Sequence, residues 1–389
     1  MKLSKNLGRV ATTFLATAML ASVAVVPAFA EGNNSDNGAA GQFTSETFTI
    51  QKTLKVPENV YTPASSFTFK IDPATNLTDE ETKLGIEKGE ADQVTNAEGG
   101  SNQATVSFAV DAEENVDVAH DETAKATFKV NLGQFTHAGV YKYTVSEVTG
   151  DDGNIKYDTT DLVLYVHIKN AGTNELALEL VELVNPNAAD GQKKTAGFTN
   201  EYGKNQDGDD TLHTLTLTKT IDGAGANMKG EFNFTVKVTN NTDGDAQVFK
   251  YWYDSDGNNQ VSDDETGYIT ANAAQATPFV LGNNDKVVIY GLRSGDEYTI
   301  SEENVTNGMT ADNYSVYVGV GEKPTNEGEK DADGQTSGKM SDSDVSVTYL
   351  NYRNTIPATG IVMNVAPYAL LVVVAAAGCF VFMRKRRED

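Results

Sequence analysis

Two segments of this 389-residue chain alternate apolar and polar residues, and each places a lysine among the apolar positions. The first is residues 48–54 (FTIQKTL) and the second is residues 215–221 (LTLTKTI). Side chains along a β-strand point alternately to the two faces of the sheet, so Lys52 and Lys219 share a face with apolar neighbours. The pattern therefore predicts two strands that each direct an amine into an apolar core.

A glutamate and an asparagine follow each of these lysines in the same apolar phase. Glu147 ends the alternating segment YKYTVSE, and Glu302 ends YTISE. Asn200 lies within FTNEY, and Asn351 ends VTYLN. Each half of the chain therefore carries an inward Lys, Glu and Asn in that order.

Burial of these three residue types together suits one reaction. A buried Lys or Glu favours its neutral form, because burial lowers the pKa of the amine and raises the pKa of the acid. The neutral amine can attack the asparagine amide while the acid donates to the amide oxygen and transfers protons, which expels ammonia and leaves an isopeptide bond. For any one lysine the alternative is an amine that extends to the sheet edge beside a solvated glutamate. Because the trio recurs, we predict bonds from Lys52 to Asn200 and from Lys219 to Asn351, with Glu147 and Glu302 as assisting acids.

The part of the chain between its two ends has the composition of an all-β protein. Residues 43–202 and 211–354 are rich in Thr, Val, Tyr and Phe, with turns of Gly, Asn and Asp between alternating segments. Each is large enough for one β-sandwich core, and the polar residues 203–210 make a linker between them. Residues 31–42 contain no apolar period and are predicted to be a flexible leader.

Charge and cysteine content exclude several classes of function. The net charge of −25 opposes phosphate binding, so no nucleic-acid partner is expected. The single cysteine, Cys379, lies in the C-terminal apolar run, so the exported part has no disulfide. The four histidines have no ligand spacing, and no metal or cofactor site is expected. The acidic loop 254–265 has glycine in the wrong place for a calcium loop, and whether it binds calcium stays open.

The N-terminus has the pattern of a secretory signal peptide, residues 1–30. Three basic residues precede the apolar segment 10–26, and Ala28-Phe29-Ala30 is a small-x-small cleavage site. We therefore expect cleavage after Ala30 and export of the chain.

The C-terminus combines a short motif, an apolar run and a basic tail. Residues 361–383 are apolar and long enough, at about 1.5 Å per residue, to cross a bilayer core of roughly 30 Å. The basic tail 384–389 should stay cytoplasmic. Just before the predicted transmembrane segment, within 355–360, the motif Ile356-Pro357-Ala358-Thr359-Gly360 resembles the LPxTG sorting signal of Gram-positive surface proteins. The resemblance implies that a sortase cuts between Thr359 and Gly360 and passes the Thr359 carbonyl to an amine.

The motifs of both halves together resemble the FctA-type backbone pilins of Gram-positive bacteria. They are FTIQK around Lys52, VYKYTVSE ending at Glu147, Tyr157-Asp158-Thr159-Thr160, FTN around Asn200, LTLTK ending at Lys219, the Glu302 strand, and VTYLN ending at Asn351. The resemblance covers nearly all of residues 43–360. It implies two tandem immunoglobulin-like, CnaB-like sandwich domains, each with a spontaneous Lys–Asn bond assisted by Glu.

The resemblance also implies an attachment lysine shortly before the Asn strand of the first domain. Lys193 and Lys194 occupy that place, and the spacing to Asn200 favours Lys193. The expected product is a covalent polymer of identical subunits at the cell surface, anchored to peptidoglycan and joined to accessory pilins. A host or surface ligand cannot be named from the sequence.

The sequence also allows two functions other than that of a pilus shaft subunit to be considered. An accessory pilin or a monomeric wall-anchored adhesin would share the anchor and the cross-links. A surface enzyme has little support, because the chain has no Gly-x-Ser-x-Gly motif, phosphate loop or cysteine nucleophile. We expect no enzymatic activity beyond formation of the internal bonds.

Overall fold

A computed structural model describes residues 40–354 except 190, 241–246 and 256–264. The predicted signal cleavage at Ala30, the sorting motif 356–360 and the transmembrane segment 361–383 lie outside the described residues, as does most of the acidic loop. Within the described part of the chain, no helix is long and apolar enough to cross a membrane. The chain divides into two compact units, with the main boundary between His213 and Thr214.

The first half is built almost entirely of strands, as the alternating pattern predicted. The described residues also include a short α-helix, α1 (Asp79–Lys83), which begins with a capping box in which Thr78 and Glu81 exchange hydrogen bonds, and a 3-10 helix at Leu132–Gln134. The strands are β1 (Gln42–Phe43), β2 (Thr47–Val56), β3 (Ser65–Pro73), β4 (Ile86–Lys88), β5 (Val94–Asn96), β6 (Gln103–Phe108), β7 (His120–Val130), β8 (Gly139–Val148), β9 (Ile155–Lys156), β10 (Leu162–Gly172), β11 (Glu175–Val184) and β12 (Gly197–Tyr202).

Two sheets of the first half enclose one apolar core. One sheet has the order β1-β11-β10-β8-β3-β6, with β4 beside β8, and the other has the order β5-β7-β2-β12-β9. Residues of both sheets meet in the core; for example, the rings of Phe69 on β3 and Phe198 on β12 stack with centroids 5.3 Å apart. The predicted β-sandwich is confirmed.

The second half repeats this architecture. Its strands are β13 (Leu212–Asp222), β14 (Phe232–Thr239), β15 (Val248–Asp254), β16 (Thr266–Thr270), β17 (Thr277–Leu281), β18 (Lys286–Arg293), β19 (Glu297–Glu302), β20 (Val305–Thr306), β21 (Met309–Thr310), β22 (Ser315–Val320), β23 (Gln335–Lys339) and β24 (Val345–Tyr352). They form one sheet of order β16-β15-β18-β13-β24-β22-β21-β20 and another of order β17-β14-β19-β23.

In each half the lysine strand and the asparagine strand are parallel neighbours in one sheet. Lys52 on β2 pairs with Phe198 on β12, two residues before Asn200. Lys219 on β13 pairs with Tyr349 on β24, again two residues before the asparagine. An offset of two keeps both side chains on one face of the sheet, so the lysine and asparagine of each half meet diagonally on the core side.

Candidate cross-linking sites and attachment lysines

The first trio meets inside the sandwich of the first half. The Lys52 Nζ atom lies 2.6 Å from Glu147 Oε2, and Asn200 Nδ2 donates a hydrogen bond of 2.5 Å to Glu147 Oε1. Lys52 and Asn200 are fully buried, and the Glu147 side chain has no exposed surface. The carboxyl group therefore bridges the amine and the amide, away from solvent.

The second trio has the same arrangement. Lys219 Nζ lies 3.1 Å from Glu302 Oε2, and the Asn351 amide nitrogen donates to the other oxygen of that carboxyl group. All three side chains are buried. The two halves of the chain thus build matching sites, as the repeated Lys, Glu and Asn pattern predicted.

Aromatic rings line the lysine side of both sites. Lys52 Nζ lies 4.6 Å from the ring centroid of Phe67, and Lys219 Nζ lies 4.4 Å from that of Phe232. The ring two residues further along each strand pairs with the glutamate: Phe69 with Glu147, and Phe234 with Glu302. These rings help to exclude water, which strengthens the effect of burial on the charged groups.

Burial shifts the pKa values of Lys52, Lys219 and Glu147 toward their neutral forms. Desolvation lowers the pKa of Lys52 to about 8, although Glu147 opposes the shift. Desolvation likewise lowers the pKa of Lys219 to about 8, against the attraction of Glu302. Burial also raises the pKa of Glu147, against the attraction of Lys52. An uncharged amine is the nucleophile that attack on an amide requires, and an acid with a raised pKa can accept its proton and return it.

The contact of the acid differs from the one expected from the sequence. Each glutamate accepts from the amide nitrogen, whereas the sequence analysis expected it to donate to the amide oxygen. In the first site the Asn200 oxygen instead accepts a 2.8 Å hydrogen bond from the backbone N–H of Asp158. A backbone N–H can only donate, so it selects the oxygen and turns the nitrogen toward Glu147. The acid therefore lies between the attacking and the leaving nitrogen atoms.

The two candidate attachment lysines lie in different surroundings. Lys193 is exposed, at the end of the loop that follows β11. Lys194 is partly buried and lies 3.4 Å from Glu182 Oε1, a carboxylate that is 2% exposed and also accepts a 2.6 Å hydrogen bond from Gln42. Burial opposes ionisation of Glu182, but the interaction with His167, 3.5 Å away, and the hydrogen bond from Gln42 outweigh it and lower its pKa. The carboxylate is therefore charged, and it holds Lys194 in an ion pair.

Sequence reasoning missed one cluster of ionisable groups. Glu114, His120 and Glu122 bring ligand atoms within 4.8 Å of one another, and His120 Nε2 lies 2.8 Å from Glu114 Oε1. The i, i+2 spacing of His120 and Glu122 on β7 indicates a shared face, but the approach of Glu114 follows from a loop.

Comparison with known proteins gives a match to a family model for each half of the chain. Residues 48–203 match the FctA model, a Spy0128-like isopeptide containing domain, and residues 213–353 match a domain of unknown function (DUF7601). The chain is 26% identical over 349 residues to a pilin of Streptococcus pyogenes serotype M1, covering 87% of this chain and 90% of that one. It is also 28% identical over 149 residues to the pilus tip adhesin Cpa of Streptococcus pyogenes, covering 38% of this chain and 18% of the adhesin.

The solved structures agree with the sequence relatives on the fold. The crystal structure of the major pilin from Streptococcus pyogenes superposes with a TM-score of 0.56 at 21% identity, over 80% of this chain and all of that one. A second major pilin, T-13, gives a TM-score of 0.51 at 22% identity, over 81% of this chain and all of that one. Residues 48–203 thus match a family of Spy0128-like isopeptide containing domains, and over most of its length the chain is similar to streptococcal pilins.

Proposed function

We propose that this chain is the shaft subunit of a covalent pilus, with a self-formed Lys–Asn isopeptide bond in each domain. The observation that carries the proposal is the pair of buried Lys–Glu–Asn trios, which have the same strand register in both halves. Two desolvated ion pairs would be a poor way to stabilise a sandwich, because burial of the charges offsets much of their attraction. The same placement suits a reaction that removes the charges permanently.

The bonds form without a cofactor. The neutral Nζ of lysine attacks the Cγ of asparagine, and the glutamate accepts the amine proton. It then returns a proton to the amide nitrogen, the Cγ–Nδ2 bond breaks, and ammonia leaves. Folding holds the reacting groups together, which supplies the high effective concentration that an unactivated amide needs. Each site reacts once, so the chain is not an enzyme with turnover.

Polymerisation joins Thr359 of one subunit to Lys193 of the next through a sortase. The side chain of Lys193 is exposed, whereas that of Lys194 is drawn toward the buried Glu182 carboxylate. Freeing Lys194 would break its ion pair with a carboxylate that stays buried, so it is the poorer acceptor. The same chemistry at the end of assembly would anchor the fibre to peptidoglycan, with accessory pilins as further partners.

A shaft subunit is favoured over an accessory pilin or a monomeric adhesin by the extent of the similarity. The match to the streptococcal pilin runs over nine-tenths of that protein, whereas the match to the tip adhesin covers less than a fifth of it. The match to the adhesin therefore reflects a type of domain that the two proteins share.

Intact mass spectrometry of the recombinant exported chain, residues 31–354, tests the bonds. The expected mass is that of the sequence less two ammonia molecules, and N200A and N351A should each lose one fewer. A mass equal to that of the unreacted sequence would refute the cross-links. Immunoblots of wall extracts from cells with and without the pilus sortase test the shaft role: a ladder supports it, and a single band indicates an adhesin.

A further inference from the structure

The two cross-linking sites differ at the oxygen of the asparagine amide. In the first site, Asn200 Oδ1 accepts the 2.8 Å hydrogen bond from the backbone N–H of Asp158. In the second, Asn351 Oδ1 is buried and has no hydrogen-bond partner within the described residues. The sites otherwise match in residue type, register and burial.

The difference arises from the strand beside each asparagine. Strand β9 pairs with β12 only at Tyr202 and Glu201, and then leaves the sheet. The backbone N–H of Asp158, two residues beyond β9, is thereby free to face the Asn200 side chain. Strand β22, in contrast, pairs with β24 continuously from Tyr352 to Val347, past Asn351. Its backbone stays in the ladder and presents no donor to that side chain.

The carboxylate of Asp158 holds this donor in position. Its Oδ1 accepts from the backbone N–H of Thr160 at 3.0 Å, and its Oδ2 accepts from that of Thr199 at 3.4 Å. The first contact closes an Asx turn within the loop, and the second ties the loop to the residue just before Asn200. The side chain thus sets the distance between its own N–H and the reacting amide.

We propose that the backbone N–H of Asp158 is an oxyanion donor for the first cross-link, that the Asp158 carboxylate is a positioning group, and that the first bond forms faster than the second. The inference rests on the proposed isopeptide chemistry. When Lys52 Nζ bonds to Cγ, the carbonyl electron pair moves onto Asn200 Oδ1, where the N–H meets the developing charge. The amine proton passes to Glu147 and on to Nδ2, and loss of ammonia restores the carbonyl. One such donor changes an acyl-transfer rate by roughly 10²- to 10³-fold.

The experiment follows both bonds in newly made protein. The exported chain is produced by a short cell-free pulse and quenched in acid at intervals. After proteolysis, mass spectrometry counts the cross-linked Lys52–Asn200 and Lys219–Asn351 peptide pairs. We expect the first peptide pair to appear at least about 10-fold faster than the second, which is less than the full rate effect of one oxyanion donor. Equal rates, or a faster second bond, would overturn the inference while leaving the proposed function intact; absence of both peptide pairs would refute the proposed function itself.

Two variants of Asp158 separate positioning from general loss of structure. D158A removes both side-chain contacts of the loop, so the first bond should slow toward the rate of the second, with the second unchanged. D158N keeps an acceptor for Thr160, so it should recover most of the first rate. Because the charge of Asp158 raises the pKa of Lys52, its removal should also shift the pH profile of the first bond to lower pH. A D158A chain that folds, judged by circular dichroism, and cross-links at the parent rate would refute the role of Asp158. If D158A does not fold, the comparison of the two sites in the parent chain still decides.

Discussion

Loss of the first cross-link through N200A should cost the first domain about 5 kcal/mol of unfolding free energy. The bond between Lys52 and Asn200 closes a loop of roughly 150 residues, and the loop-entropy relation gives about 5 kcal/mol for that length at 25 °C. A domain of this size shifts its melting temperature by roughly 2–4 °C per kcal/mol, so we expect a decrease of about 10–20 °C. In N200A the Lys52–Glu147 pair stays buried without the asparagine amide, and this buried pair lowers the unfolding free energy further.

Differential scanning calorimetry of the exported chain measures this decrease, with intact mass used to show that only one bond is missing. N351A is the matched control, because it opens a loop of roughly 130 residues in the second domain and should lower that transition by a similar amount. The two transitions should respond separately, each to its own variant. An N200A protein that lacks the bond but melts with the parent would show that the cross-link does not stabilise the folded domain, and the loop-closure argument would fail.

Three further predictions concern polymerisation, pH and force. K193R should abolish the sortase-dependent ladder on denaturing gels, whereas K194R should leave it; an intact ladder in K193R would contradict the assignment. Before the bond forms, burial lowers the folded pKa of Lys52 from 10.5 to about 8, and N200A should keep this unreacted amine. Between pH 8 and 10.5 the unfolded chain then binds more protons, so the stability of N200A should rise with pH. N200A/K52M should not show this rise in melting temperature, and identical pH profiles would count against a buried, uncharged amine. In single-molecule pulling between Lys193 and the sorting signal, the second domain should give no unfolding extension until N351A removes its bond, so a large extension in the parent would exclude that load path.

The positions of the trios could be predicted because alternation in a strand is a local property. A lysine at the third apolar position of FTIQKTL points into the core whichever strand lies beside it. The recurrence of the order Lys, Glu, Asn then singled out Lys52, Glu147 and Asn200, together with Lys219, Glu302 and Asn351. The structure brings each trio together.

The partners around the trios could not be predicted in the same way. The sequence analysis assigned the acid to the amide oxygen, but the backbone of Asp158 takes that place in the first site. Spacing alone favoured Lys193 over Lys194, whereas the structure shows that Lys194 is partly buried beside the Glu182 carboxylate. Both contacts join different segments of the chain, so the alternation of residues within one strand could not predict them.

Sequence alone determined the strand-rich class, the face on which each reactive side chain lies, and the residue types available for the chemistry, because all three depend on neighbours along the chain. Tertiary structure decided the parallel pairing that sets lysine beside asparagine, the depth of burial that shifts the pKa of each lysine, and the donor that distinguishes the first amide from the second. Those properties arise only when remote strands pack together and exclude water, since desolvation and hydrogen bonding depend on distance in space.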